Sequence, residues 1–456
     1  MGIIYFACIF SVKAKILRES IHRRASDNSK HLHHRLLARR APAEMHSSRL
    51  PSRRIVLGIQ MTFNLGFYAV VPFLATHMRD HLLMSATAIG LTLGMRSFSQ
   101  QGMFFLGGLL AQRFGYRRVM ITGCAVRVLG YLGLAVAGTP AQMVISACLT
   151  GLGGAAFSPC LEALAAQLER EDHAVERRRR HGIFAHFAVA GELGAVAGPL
   201  LGGLLMRGGF PLAAILCAGM FAVATAVLYA GLPADDRRPS AGVLDGWRDV
   251  LRDRAFLAFA LAYGSYLFNY NQLYLALPAE LARIAAGEAW LAWLFVLASA
   301  LVILLQLPIA ALCARWQPRF ALMIGFAMMS SAFLCLAAGP CLGDAHGFAD
   351  LAVLPAVLFT ILLSLGQMCA VPVAMSLLPR FAGERPLPLY YGVLASVGGA
   401  MTLFGNILLG WAHDWVARLP AAGESGAAFS AQWCLAALLP ACSVWAFSRL
   451  ALPARH

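Results

Sequence analysis

Acidic side chains are scarce in this chain: 22 Asp and Glu stand against 37 Lys and Arg, and all four types make up only 13% of its 456 residues. A typical soluble domain carries about 25%, so an ordinary water-facing surface is excluded. None of the eleven cysteines stands in a C-x-x-C pair, which argues against a zinc ribbon or a dithiol redox centre. No Walker-type nucleotide loop is present, and no G-x-S-x-G, H-E-x-x-H or paired-acid pattern. ATP as a direct energy source and the common hydrolytic chemistries therefore have no support, and no enzyme is expected. Apart from the N-terminal tail, long polar stretches are missing too, so no room remains for a soluble signalling or nucleic-acid-binding domain. The HLHH run at His31–His34 lacks a folded context for metal, and no cofactor is expected.

What the chain does have is apolar length. Hydrophobic residues reach 59%, and mean hydropathy is +0.67. Twelve segments are long enough to cross a bilayer core, near 55–76, 86–111, 119–138, 142–166, 183–206, 210–232, 255–278, 289–312, 319–338, 349–373, 389–411 and 427–449. The polar stretch 233–254 divides them six and six. The expected fold is an all-α polytopic membrane protein, with twelve transmembrane helices in two pseudo-symmetric six-helix bundles. Residues 1–54 form a basic tail, in which Met45 looks the more natural start. The halves run over 55–232 and 255–450, joined by a linker whose GWRDVLRDRAF segment suits a short surface helix.

The formal charge of +15 reflects topology rather than a nucleic-acid partner. With the N-terminus inside, 31 of the 37 Lys and Arg fall on inside segments, above all RRRR at Arg177–Arg180. Only Arg79, Arg207, Arg283 and Arg418 fall outside. This bias predicts both termini on the cytoplasmic face.

Two motifs stand out. In GAVAGPLLGG, residues Gly194, Gly198 and Gly202 recur every fourth residue, so their bare faces stack and admit a neighbouring helix at backbone distance. Pro199 bends the span there, and Gly203 completes the pattern. Between the second and third spans, GLLAQRFGYRR runs from Gly108 to Arg118, with a small residue where helices converge, a tight turn at Gly115 and the cations Arg113, Arg117 and Arg118. ALCARWQPRF, Ala311 to Phe320, is a worn copy at the equivalent point of the second half. Matching loops in matching halves point to an internally duplicated transporter.

With both motifs in place, the chain resembles the major facilitator superfamily across about 55–450, and within it the twelve-span drug:proton antiporter branch. Gly108 to Arg118 resembles that family's loop motif G-x-L-a-D-R-x-G-x-R-R, and Gly194 to Gly203 its fifth-span antiporter motif. Leu65, Gly66 and Pro72 fit the looser first-span pattern, and Gly151 to Cys160 resembles the fourth span of bacterial multidrug-resistance members. The resemblance implies a monomeric carrier in the bacterial inner membrane, exporting small amphipathic solutes or drugs in exchange for protons. The chain also departs from the pattern. Gln112 stands where the loop motif has an acid, Ala147 where an arginine is usual, and Asn64 where an acid would sit near the cavity.

Four charges lie within spans: Arg96, Arg127, Glu162 and Glu192. Such groups are costly in hydrocarbon and are read as functional by default. They are the candidates for proton coupling, the arginines as fixed counter-charges. Glu162 could instead meet Arg113, Arg117 or Arg127 as a permanent structural pair. The seventh span carries YGSYLFNYNQLY, whose Tyr266, Asn269, Tyr270 and Asn271 suit a bulky, partly cationic substrate, or else an interfacial aromatic belt. Asn64, Tyr68, Gln100, Gln306 and Gln367 are further candidates for the cavity wall. Two other readings stay open at this level: an importer or exporter of one metabolite or siderophore on the same fold, and, more remotely, a membrane sensor or enzyme.

Overall fold

The computed structural model describes residues 51–175, 183–232, 247–340, 352–383, 385, 387–418 and 422–452. Residues 1–50, the Arg177–Arg180 run and most of the linker lie outside these. No strand occurs among the described residues. The helices are α1 (Arg53–Asp80), α2 (Ala86–Ser97), α3 (Phe104–Phe114), α4 (Tyr116–Val136), α5 (Pro140–Val175), α6 (Ile183–Leu205) and α7 (Phe210–Gly231). After the linker come α8 (Trp247–Arg252), α9 (Arg254–Arg283), α10 (Glu288–Cys313), α11 (Pro318–Ala337), α12 (Leu354–Ala382), α13 (Leu387–Ala417) and α14 (Ala422–Arg449).

Ten helices among the described residues are long and apolar enough to cross a membrane. The two remaining expected spans take other forms. Residues 86–114 are not one helix: a π-helical turn, Phe98–Gly102, separates α2 from α3. α9 is a continuous helix of 30 residues whose amides and tyrosines lower its apolar average. The short helix expected in GWRDVLRDRAF is α8, which buries Val250. Asp253 then caps α9 by accepting a bond from the Phe256 amide at 3.0 Å.

Large apolar residues such as Leu129, Ile145, Val223, Leu304, Leu307 and Trp445 are exposed around the helices. In water that much open hydrocarbon would drive aggregation; against lipid tails it is the matching surface. The helices pack in two groups. In the first, α1 lies on α6 and α7, and α5 on α2, α3 and α4. In the second, α11 lies on α12 and α14, and α9 on α13. Contacts between the groups run mainly through α2 with α13, α6 with α10, and α1 with α9.

Glycine sets the closest of these contacts. A Cβ at Gly194 would stand 2.5 Å from the Met61 carbonyl oxygen, and one at Gly198 would stand 2.5 Å from the Tyr68 Cβ. Gly202 abuts the Ala69 carbonyl in the same way. The stripe expected on the fifth span therefore faces α1 of its own group. Gly203 faces elsewhere: a Cβ there would stand 3.6 Å from the Ala292 Cβ of α10. A second set joins the two groups: a Cβ at Gly90 would meet the Asn406 carbonyl, one at Gly94 would stand 3.0 Å from the Leu403 Cα, and one at Gly410 would meet the Ala86 carbonyl.

Leucine at Gly198 would overpack the α1–α6 seam, a kind of change that costs about 1–3 kcal/mol. Gly198→Leu should insert but melt several degrees lower and lose at least ten-fold in transport, whereas Gly219→Leu, at a position with open space around it, should match wild type. Equal melting and transport in the two variants would show that the seam tolerates bulk.

Candidate substrate cavity and its closures

α1 crosses the centre of the molecule with Gln60, Phe63, Asn64 and Phe67 on one face, spaced at the three- and four-residue steps that stack on a helix. Opposite them stand Arg96 and Ser97 at the end of α2, Gln100 and Gln101 in the π turn, and Tyr270, Asn271 and Tyr274 of α9. Ser158 and Glu162 of α5 complete a cavity of about 50 Å³. The π turn matters here, because a turn of this kind shifts the register of the side chains that follow it and is frequent at functional sites. Gly151 lets the turn settle against α5, near the Arg96 carbonyl and Ser99.

Arg96 is 5% exposed. Its Nη1 donates to Gln100 Oε1 at 3.2 Å, and its guanidinium lies 4.9 Å from the Phe67 ring centre. Arg96 Nε and Asn64 Nδ2 are buried donors without a hydrogen-bond partner among the described residues. Arg127, 1% exposed, sits deeper in a box of rings, 3.9 Å from the centre of Phe63 and 4.8 Å from that of Phe221. Gly153 and Gly154 give it room: a Cβ on the first would come 2.8 Å from Arg127 Cβ, and one on the second 2.9 Å from Nη1. The Gly151–Gly154 segment is thus a cradle for the two buried arginines.

Glu192 lines a neighbouring cavity of about 30 Å³ with Tyr68, Phe295, Ser299 and Gln367. Tyr270 borders both cavities, and its hydroxyl lies 3.3 Å from that of Tyr68. Among the described residues, neither Glu162 nor Glu192 forms an ion pair. Among the described residues, the expected alternative of Glu162 paired with Arg113, Arg117 or Arg127 is not formed. The buried Glu280, by contrast, is paired with Arg283 Nη2 at 2.7 Å.

Not every expected wall residue reaches a cavity with charge in it. Asn269 turns into the second helix group, 3.6 Å from Met329 Sδ. Tyr266 lines a separate apolar pocket with Val371, Met375 and Leu394. Gln306 is buried but borders neither charged cavity. The tyrosines of α9 are all 8% exposed or less, so they are not an interfacial belt. Asn271 does reach across, donating to Ser97 Oγ at 3.1 Å. Gln60, Tyr274 and Ser158 are wall residues that the sequence reading missed; the Gln60–Asn64 spacing on the Phe63–Phe67 face was the signal for the first.

At the Arg53 end, the two basic loops act alike. Gly115 turns the chain between α3 and α4 with φ +87°, a conformation that favours glycine. Arg117 Nη2 then donates to the Tyr229 carbonyl at the end of α7, 2.7 Å away. Arg319, at the start of α11, donates likewise to the Leu450 carbonyl beyond α14, at 2.6 Å. Both occupy the carbonyl-rich end of a helix, where a cation is favoured. Arg113 and Arg118 are exposed, and Gln112 lies in the last turn of α3. Gly108 is a correction: a Cβ there would meet open space, and the close approach to α5, at the Ala155 carbonyl, belongs to Gly107.

At the Asp80 end, the two helix groups are clasped. Asp414 of α13 accepts bonds from the Ala86 and Thr87 amides at 2.7 and 2.9 Å, and from the Thr87 hydroxyl at 2.6 Å. A carboxylate at the amino end of α2 is favoured by both the free N–H groups and the helix dipole. Arg79 Nη1 adds a bond to the Pro278 carbonyl at 3.1 Å. Arg79, Ala86, Pro278 and Asp414 border a vestibule of about 810 Å³, which Arg283 and His413 also line.

The Major Facilitator Superfamily pattern matches residues 56–406. The chain belongs to that superfamily. It is accordingly a multi-pass membrane transporter and not an enzyme. It is 34% identical over 367 residues to an MFS-type transporter of Mycobacterium tuberculosis, covering 79% of this chain and 85% of the relative. Multidrug resistance protein MdtH of Escherichia coli is 29% identical over 362 residues, covering 77% and 83%. Among solved structures, a mutant form of peptide transporter POT superposes with a TM-score of 0.68 at 17% identity, over 87% of this chain and 94% of that one. A mutant form of nucleoside transporter NupG gives 0.67 at 13%, over 87% and 99%. These two show a shared fold.

Neutralising the clasp should loosen it. In Asp414→Asn, a cysteine introduced at Ile89, which borders the vestibule behind the clasp, should react with a hydrophilic maleimide several-fold faster than in the parent. An unchanged rate would mean that Asp414 caps a helix without holding the groups together.

Proposed function

We propose that this transporter exports small amphipathic solutes by alternating access, in exchange for protons. Twelve spans, in two six-helix halves, sit in a bacterial inner membrane with both termini cytoplasmic, and the monomer is the working unit. The Arg53 end then faces the cytoplasm and the Asp80 end faces outward. The matching roles of Arg117 and Arg319, each holding the last helix of its half, support the duplicated plan. The spread of Lys and Arg supports the orientation. Similarity to MdtH supports drug-like solutes.

One observation carries the coupling: two carboxyls, Glu162 and Glu192, line central cavities and form no ion pair among the described residues. A permanent partner would hold such a carboxyl in one charge state. Without one, a carboxyl that meets each face of the membrane in turn can take a proton from one side and release it on the other. Arg96 and Arg127 remain charged throughout, and the small-residue contacts between α2 and α13 let the halves roll without prising apart interlocked side chains.

Glu192→Gln preserves size and hydrogen bonding but removes titration. In proteoliposomes it should still exchange labelled solute for unlabelled at near wild-type rate, while accumulation driven by a pH gradient falls at least ten-fold. Glu162→Gln run beside it tells which carboxyl carries the proton. If both variants accumulate solute as wild type does, the proton takes another route and the proposed coupling fails.

A further inference from the structure

The central cavity holds ionisable groups of opposite sign that do not pair with each other. Arg96 and Glu162 line the same space, yet no ion pair joins them among the described residues. Charges left apart in a protein interior are expensive unless something else satisfies both. Around Arg96 the unmet capacity is mostly donating: its own Nε and Asn64 Nδ2 are buried donors without acceptors, Gln100 takes only Nη1, and the unpartnered Tyr274 hydroxyl can donate or accept. Two such donors, one carried by a planar cation, suit a carboxylate with its two oxygens. Glu162, when ionised, only accepts and therefore suits an ammonium. Between them lie ring faces, with Phe63 and Phe67 on one wall and Tyr274 on another.

From this juxtaposition we infer that the cavity binds an aromatic zwitterion, with its acidic group on Arg96 and Asn64 and its basic group on Glu162. This rests on the proposed export function and narrows it. The basic group competes with a proton for Glu162 and so adds to the exchange proposed at Glu192; a purely acidic solute would bind alongside that proton and be carried with it instead. The present cavity of about 50 Å³ is too small for a ring system, so the ligand enters only when the halves part. The expectation of a partly cationic solute thus gains a second requirement, an acid at the far end.

Three probes sharing one ring separate the possibilities: 6-(aminomethyl)-2-naphthoate, 2-naphthoate and 2-naphthylmethylammonium, titrated calorimetrically into the purified full chain. The two-headed probe should bind at least ten-fold tighter than either single-headed one. Arg96→Gln should reduce it to the level of the ammonium, Arg96→Lys should retain most of the affinity, and Glu162→Gln should reduce it to the level of the naphthoate. Should Arg96→Gln fail to fold, Asn64→Ala must weaken both acid-bearing probes several-fold and leave the ammonium unchanged. If the ammonium alone binds as tightly as the two-headed probe, the zwitterion is refuted while export of cationic solutes stands. If no probe binds, the aromatic zwitterion is refuted, while proton-coupled export is decided by the accumulation assay with the Glu192 and Glu162 variants.

Discussion

An arginine cannot shed its charge, and this protein keeps two of them in the middle of an apolar bundle. The cost of such a group at the centre of a bilayer is at least about 2.5–3.5 kcal/mol, and the local architecture follows from meeting it. Arg127 is surrounded by ring faces, whose quadrupoles replace part of the lost hydration. Its companion Arg96 keeps one amide partner and one ring, and is left with capacity to spare. Glycine on α5 makes both positions possible, since a Cβ at Gly153 or Gly154 would crowd Arg127 and one at Gly151 would crowd the Arg96 carbonyl. One arginine is therefore satisfied by the fold. The other is held ready for something the fold does not supply.

Close glycine contacts do a second job. Within the first helix group, α6 is seated on α1 at backbone distance, which makes a stiff pair. Between the groups, Gly90, Gly94 and Gly410 bring α2 and α13 to the same closeness. Smooth surfaces of this kind can roll with few rotamer changes, whereas large interdigitated side chains would have to disengage. The clasp at Asp414 and the bond from Arg79 to Pro278 hold one end of that seam by a few directional bonds. Such bonds can be exchanged for water when the end opens, at little net cost.

Much of this was legible in the amino-acid order. Ten spans announce themselves by apolar length, and the duplicated basic loops by spacing, because hydropathy and charge act locally. The contents of the cavity were half legible. Arg96, Glu162, Tyr270 and Asn271 were chosen because polar groups in hydrocarbon need a reason. Asn269 was misplaced, although two residues amount to roughly 200° around a helix, so Asn269 and Asn271 cannot share a face. The π turn at Phe98–Gly102 had no sequence signal, since no proline marks it and its cause lies in packing against Gly151 and Gly399. The clasp was out of reach for a related reason: Asp414 and Thr87 meet across 327 residues, and an acid near the end of a span looks like any other.

Exchange of solute for protons is the claim on which the rest depends. It is tested most directly by trapping a pH-reporting dye inside proteoliposomes of the wild-type chain and offering the solute from outside. The account predicts a saturable rise in lumenal pH as solute enters, in excess of that in protein-free vesicles and at a fixed ratio to the solute taken up. Saturable solute entry with no pH change beyond that of the protein-free vesicles would contradict it.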